Sequence, residues 1–213
     1  MGRRSLPKLD PQIDLSHFLY SLEQLPEPWD AEEFFGRCGD LEIEVGSGKG
    51  LFMATAAESH PDRNFLGIEI ARKYAAHAAA KLARRNLTNA KMVQGDANSL
   101  FATRLPAACL AAVHVYFPDP WWKKRHHKRR IMNELFLEHV VRLLRPGGML
   151  HFWTDVQEYF QASLEMIAEK IPLEGPLSVP ERIAAHELDY RTHFERRMRL
   201  HQHAVYRSQF RKP

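Results

Sequence analysis

Between residues 41 and 171 short apolar runs alternate with longer stretches of helical periodicity. Residues 41–45, 65–70, 91–94, 111–116 and 149–153 read as strands, short and rich in Val, Ile, Leu or aromatic side chains. The run beginning Leu51, Phe52, Ala54 predicts a helix that ends near His60-Pro61, and residues 71–85, rich in Ala, Lys and Arg, predict a second. Ile131, Leu135, Phe136, Val140, Leu143 and Leu144 recur at helical spacing, a single apolar face that Arg145-Pro146-Gly147-Gly148 ends; residues 159–171 form another amphipathic helix. Strands alternating with crossover helices predict an α/β protein with a mostly parallel sheet. Residues 172–180, with three prolines and a glycine, read as a loop. The alternation Met198, Leu200, Gln202, Ala204, Tyr206, Ser208, Phe210 predicts one or two edge strands, antiparallel and wet on one face. Residues 1–40 are polar and carry Pro7, Pro11, Pro26 and Pro28, the pattern of a loosely held N-terminal arm before a single domain at 41–213.

Composition narrows the class. The chain has 213 residues, 45% hydrophobic and 26% charged, which is that of a folded protein with a core of its own. The longest apolar stretch, about residues 106–113, is far short of the roughly 18 residues that cross a bilayer. The basic N-terminus has no apolar segment behind it, so a cytoplasmic protein is expected rather than a secreted one. Cys38 and Cys109 are the two cysteines, without Cys-x-x-Cys spacing or a neighbouring His, so neither a disulfide framework nor a metal site is expected.

Charge is distributed unevenly. Residues 121–130 hold six cations, Lys123, Lys124, Arg125, Lys128, Arg129 and Arg130, and no acid, which leaves the rest of the chain at −2 although the total is +4. Residues 189–213 carry a further +5. An acidic body with two cationic zones suits an anionic polymer, because local positive potential steers and holds phosphates.

The first strand of the 41–171 region runs into Gly46-Ser47-Gly48-Lys49-Gly50 and then a helix. In an open α/β sheet such a turn lies at the carboxyl ends of the strands, where ligands bind. Glu69 ends the next strand 21 residues after Gly48, near the spacing at which an acid accepts hydrogen bonds from a ribose diol. Asp96 ends the third strand and Glu44 precedes the turn, so three acids converge on one edge with the glycines. Both a dinucleotide and S-adenosylmethionine meet these requirements. The third glycine comes one position too early for G-x-G-x-x-G, and the acids suit an ammonium and a sulfonium, which favours S-adenosylmethionine.

The fourth strand of that region delivers Tyr116-Phe117-Pro118-Asp119-Pro120-Trp121-Trp122 and then the cations. The two prolines fix their own φ and bias their neighbours toward extended backbone, presenting the Asp119 carboxylate stiffly. Six cations beside two tryptophans and an acid read as phosphate contacts next to a platform for a base.

These segments, with Thr154-Asp155 and Thr192-His193-Phe194-Glu195, resemble the TrmB family of tRNA (guanine-N7)-methyltransferases from about Leu41 to the C-terminus. Phe-Pro-Asp-Pro-Trp followed by Arg125-His126-His127-Lys128-Arg129-Arg130 is the most specific part; the glycine turn is shared across class I methyltransferases. The resemblance implies a Rossmann-like class I fold, a seven-stranded, mostly parallel sheet with an antiparallel C-terminal strand and helices on both faces. The implied activity is methylation of N7 of the variable-loop guanosine at tRNA position 46, with S-adenosylmethionine as cofactor. It implies that Glu44, Gly46, Gly48, Gly50, Glu69, Asp96 and Asp119 line the cofactor site, with Asp119 catalytic. Lys123, Asp155, Thr192, His193, Phe194 and Glu195 would contact substrate, and Arg125, His126, His127, Lys128, Arg129 and Arg130 would contact RNA. His193 departs from the Lys common at that position. Two other classes stay open on the residues alone: a methyltransferase of this fold acting on another RNA site or a small molecule, and a non-catalytic RNA-binding module. Monomer and homodimer are both compatible with the sequence.

Overall fold

The computed structural model describes residues 6–180 and 190–213. Its strands are β1 (Leu19–Ser21), β2 (Leu41–Val45), β3 (Asn64–Glu69), β4 (Ala90–Gln94), β5 (Leu110–Tyr116), β6 (Leu144–Thr154), β7 (Glu174–Leu177) and β8 (Tyr206–Arg211). They form one sheet in the order β1-β4-β3-β2-β5-β6-β8-β7. The pairs from β1 through β6 are parallel, and β8 runs antiparallel between β6 and β7. Helices α1 (Ala31–Phe35), α2 (Leu51–Ser59), α3 (Arg72–Arg84), α4 (Ala97–Thr103), α5 (Glu134–Leu143), α6 (Gln157–Lys170) and α7 (His193–Leu200) complete the described elements.

Four expectations are corrected. The sheet has eight strands among the described residues instead of seven, because β1 adds to the β4 edge, Tyr20 opposite Val93. Residues 19–35 are therefore docked rather than loose. Asp30 caps α1 through its side chain, Gly36 ends it at φ 69°, and Leu25, Trp29 and Phe35 are buried in the main core. Residues 1–5 of the expected arm lie outside the described residues. The third correction is at the C-terminus, where Met198 and Leu200 belong to α7 and only residues 206–211 form the strand. Residues 174–177, expected as loop, pair with β8. Arg145-Pro146-Gly147-Gly148 does follow the end of α5, but as an irregular start to β6.

The two sheet faces differ in chemistry. Ile43, Val113, Leu150 and Phe152 point to the larger core, under α4, α5 and α6. The opposite face carries Glu42, Glu44, His114, Tyr116, His151 and Trp153, with Phe52 of α2 packed against His114 and Tyr116. Several of its buried polar atoms are paired in a chain: Arg63 donates to Glu42 at 2.7 Å, His114 Nε2 meets Glu42 at 2.7 Å and His114 Nδ1 meets the Tyr116 hydroxyl at 2.9 Å. The His114 ring stacks on His151 at 4.5 Å, and His151 Nδ1 lies 3.0 Å from the Gln209 amide. Burial lowers the pKa of both histidines, so His114 is neutral, donating from Nε2 and accepting from tyrosine at Nδ1. Burial pushes Glu42 up, but His114 and Arg63 outweigh it and hold the carboxylate at about 2. Side chains from β2, β5, β6 and β8 are thereby tied together just below the edge that carries the acids.

Candidate active site at the carboxyl edge of the sheet

In-register parallel pairing brings the ends of β2 to β6 to one edge: Val45 lies opposite Ile68 and Val115, Glu69 opposite Gln94, and Tyr116 opposite Trp153. The glycine turn, Glu69, Gly95-Asp96, Phe117-Pro118-Asp119 and Asp155 all sit at or just beyond these ends. Strand order reverses between β2 and β5, the crevice where open α/β sheets bind ligands.

Gly46, Gly48 and Gly50 adopt φ of 78°, 52° and 64°. Glycine is required at the third for a second reason, since a Cβ on Gly50 would meet the Ala78 Cβ at 2.6 Å. The turn spends its amides internally. Gly46 and Ser47 donate to the Ile68 carbonyl at 2.8 and 3.2 Å, Gly48 to a Glu69 carboxylate oxygen at 2.9 Å, and Gly50 to Ser47 at 2.8 Å. A pyrophosphate would need such amides turned outward, so this turn is a poor cradle for a dinucleotide. Glu69 also accepts from the Ala71 amide at 2.9 Å, which fixes it at the start of α3. Asp96 is exposed and caps α4.

Glu44 shows most directly that the edge expects a cation. It is 3% exposed and its Oε2 has no hydrogen-bond partner. Burial raises its pKa to about 8, opposed first by the Ser47 hydrogen bond, with repulsion from Glu69 adding to the rise and Lys81 pulling slightly against it. An uncompensated acid with Glu69 beside it suits the positively charged groups of S-adenosylmethionine, and the residues present fit that cofactor. A folded pKa above the unfolded one stabilises the protein below the unfolded value, and the benefit is lost as pH rises from about 4.5 toward about 8. Glu44→Gln is therefore expected to leave stability unchanged near pH 4 and to exceed wild type by about 2–4 kcal/mol at pH 8–9. Urea unfolding across pH checks this; a difference that does not grow with pH contradicts the assignment.

Asp119 is exposed on a loop whose backbone is unusual on both sides, with Phe117 at φ 50° and Trp121 at φ 48°. Non-glycine residues adopt such angles at a cost of about 1–3 kcal/mol, and they cluster at functional sites. Two prolines, two left-handed residues and the Phe117 amide bonded to the Trp153 carbonyl at 2.8 Å hold this loop at the edge. The cations follow as a 3-10 turn, Lys124–Arg129, and α5 starts later at an Asn133 cap, so the cluster does not oppose that helix's dipole at its first turn. Lys123, Lys124, Arg125, Lys128 and Arg129 are exposed, with the Arg129 guanidinium 5.0 Å from the Trp121 ring centre. His126 lies against Trp121, and His127 contacts Arg130 at 3.1 Å.

Arg130 corrects the expected RNA-contacting set. It is 7% exposed, donates to the Pro120 carbonyl at 2.8 Å and to both oxygens of Glu158 at 3.0 and 2.7 Å, and covers the Tyr159 ring. It holds the Asp119 loop to α6 rather than facing solvent. Arg130→Gln should cost about 1–2 kcal/mol of stability, because it strips the half-buried Pro120 carbonyl and the Glu158 carboxylate of their donor. Chemical denaturation measures this; loss of RNA affinity with full stability would put Arg130 back on the surface.

The Thr192 to Glu195 segment starts α7. The Thr192 hydroxyl accepts from the Glu195 amide at 3.0 Å, and Phe194 packs on Phe117 at 4.9 Å between ring centres, placing α7 against the Asp119 loop. Glu195, expected to touch substrate, is turned inward: it is 3% exposed, accepts from the Arg191 amide at 2.6 Å and faces Arg199 and Arg207 at 3.5 and 3.4 Å. It anchors α7 to β8 instead. His193 is exposed, 3.4 Å from Lys81, and Asp155 is partly exposed just beyond β6. For the Glu42–His114 pair the sequence signal is a charged or polar residue within an apolar strand, whereas Lys81 is one of several cations on α3 and nothing in the sequence marks it out.

Among the described residues, no group of His, Cys, Asp and Glu could hold a metal ion, and no helix is long and apolar enough to cross a membrane. A family model described as a putative methyltransferase matches residues 39–208, from just before β2 into β8. The tRNA (guanine-N(7)-)-methyltransferase of Rhodopirellula baltica is 51% identical over 218 residues, an alignment covering 100% of this chain and 80% of that protein. The protein of the same name from Alkalilimnicola ehrlichii is 35% identical over 195 residues, covering 91% and 82%. Among solved structures, the aminoglycoside resistance methyltransferase NpmB1 superposes with a TM-score of 0.60 at 21% identity, covering 89% of this chain and 95% of that one, a likeness of fold. Glycine turn, acid-lined edge and Asp119 loop all lie within the matched stretch, and the chain belongs to the tRNA (guanine-N(7)-)-methyltransferase family.

Proposed function

We propose that this protein is a tRNA (guanine(46)-N(7))-methyltransferase, acting in the cytoplasm on the variable-loop guanosine. The observation that carries the reading is the placement of Asp119, on a stiff loop between the acid-lined glycine turn and five exposed cations, in a chain of this family. S-adenosylmethionine supplies an electrophilic methyl group on a sulfonium when bound. Glu44, Glu69 and Asp96 would hold it at the carboxyl edge.

Guanine N7 carries a lone pair and no proton, so attack on the methyl carbon needs no general base. Transfer would form the N7–C bond at the expense of the cofactor's S–C bond and move the positive charge to the purine, beside Asp119. Asp119 would accept hydrogen bonds from the guanine N1 and N2 edge and favour the charge developing on the ring. Holding nucleophile and methyl in a near-attack geometry is worth about 7–11 kcal/mol in favourable cases, which makes positioning the main work of the site. Lys123, Asp155, Thr192, His193 and Phe194 border the space a guanosine would enter, while Arg125, His126, His127, Lys128 and Arg129 serve the RNA strand. Neither Cys38 nor Cys109 lies at this edge, so a covalent cysteine route is not used.

Incubation with methyl-labelled S-adenosylmethionine and unmodified tRNA, followed by nucleoside analysis, tests the reading. Label in N7-methylguanosine is expected. Label confined to small molecules or to another nucleoside would contradict it.

A further inference from the structure

Next to the glycine turn lies an open pocket of about 250 Å³ whose lining includes Lys49, His77, Lys81, Arg84, Arg85 and His193 beside Leu6 and Pro7, with no acid among the described lining residues. The cations reach it from three separate segments: the turn before α2, the second half of α3 and the start of α7. Lys81 is built in rather than waving in solvent. Its Nζ donates to the Lys49 carbonyl at 2.8 Å and meets the His193 ring at 3.4 Å. Arg85 is paired with Glu58 at 3.0 Å.

Gathering like charges in a concave space costs energy that an acidic side chain would ordinarily offset. Here none of the described lining residues is acidic. The crowding is felt at Lys81, whose pKa burial lowers to about 8, with Arg85 and Lys49 adding to the burial and Glu44 opposing it. A ligand with several acceptor oxygens and negative charge would satisfy the lysine, arginine and histidine donors together. His193 gives the cavity a direction, since it belongs to the segment that packs on the Asp119 loop through Phe194.

We propose that this cavity binds a phosphate group of the RNA backbone, a second grip on the substrate formed by α3 and separate from the 124–129 turn. The inference rests on RNA being the substrate. It extends the footprint across the glycine turn, so that a bound strand would be held by the 124–129 turn and by this cavity.

The test compares wild type with Lys81→Gln/Arg84→Gln, and with Arg84→Gln alone because Arg84 is exposed and its loss should not disturb the fold. Affinity for unmodified tRNA is measured over a salt series, with S-adenosylmethionine affinity and melting temperature as controls. Each lost phosphate contact flattens the salt slope by about 0.7–0.9. The double variant should therefore bind tRNA roughly tenfold more weakly near 0.1 M salt, with a slope shallower by about 1–2, and Arg84→Gln alone should flatten the slope by about 0.7–0.9 with both controls unchanged. Equal affinity and slope in the folded variants overturn the proposal. A parallel titration with inorganic tripolyphosphate separates the sources of phosphate. If wild type fails to bind tRNA, the substrate reading falls; tripolyphosphate binding that the double variant loses would then assign the cavity to a free polyphosphate anion, and its absence would remove the site.

Discussion

Asp119→Ala is expected to lower the rate of methyl transfer to tRNA by about 10²–10³-fold, the usual cost of removing one preorganised electrostatic group from a transition state. The loss should fall on kcat, because the charge that Asp119 favours develops on the purine only as the methyl moves. Asp119→Asn should lose nearly as much, since the amide keeps the shape but not the charge. Stability should change little, within about 0.5 kcal/mol, because the side chain is exposed and the loop is held by Pro118, Pro120 and Arg130. Single-turnover measurement at saturating tRNA and cofactor separates chemistry from binding. Near wild-type turnover in the alanine variant would remove Asp119 from the reaction.

The second large effect concerns the turn at residues 124–129. Replacing Arg125, Lys128 and Arg129 together by Gln should reduce tRNA affinity by about 10²-fold at moderate salt and flatten the salt slope by roughly 2–3. Arg129 contributes twice, as a cation and as the guanidinium stacked over Trp121. Melting temperature should hold, because all three side chains are exposed. Filter binding over about 50–200 mM salt measures both quantities. An unchanged slope would take the turn out of RNA binding, and a large stability loss would mean that these cations do what Arg130 does.

That contrast shows where sequence is a good guide. The parallel strands were legible because their apolar runs have strand length and end in glycines and acids, and topology then brings those endings to one edge without further information. Glu44, Glu69 and Asp119 are found there for that reason. A run of cations, by contrast, has no period that says which member turns inward. Arg130 does so because Glu158 and Tyr159 of α6 wait for it, a contact 28 residues away. Glu195 is hidden by the same kind of long-range pairing, to Arg207 on β8.

At the two ends of the chain, local signals competed. The prolines of residues 1–40 suggest an arm, yet Asp30, Glu33, Phe34-Phe35 and Gly36 spell a capped helix with an apolar face, and that burial won. The alternation through Met198 and Leu200 suggests a strand, yet the Thr192 cap starts a helix that buries Glu195 rather than an apolar stripe. In α7 the apolar Phe194 and Met198 stand at helical spacing, but two positions are too few to outweigh the alternation that runs on to Phe210.

The central claim is that the lone pair on N7 of one guanine is the methyl acceptor, held by Asp119 at the glycine-turn edge. A tRNA carrying a single 7-deazaguanosine at position 46 tests it most directly, because that base keeps the N1 and N2 edge and loses only the acceptor atom. The account predicts that this tRNA binds as tightly as the natural one and takes up no methyl group. Methylation of it at the unmodified rate would contradict the account.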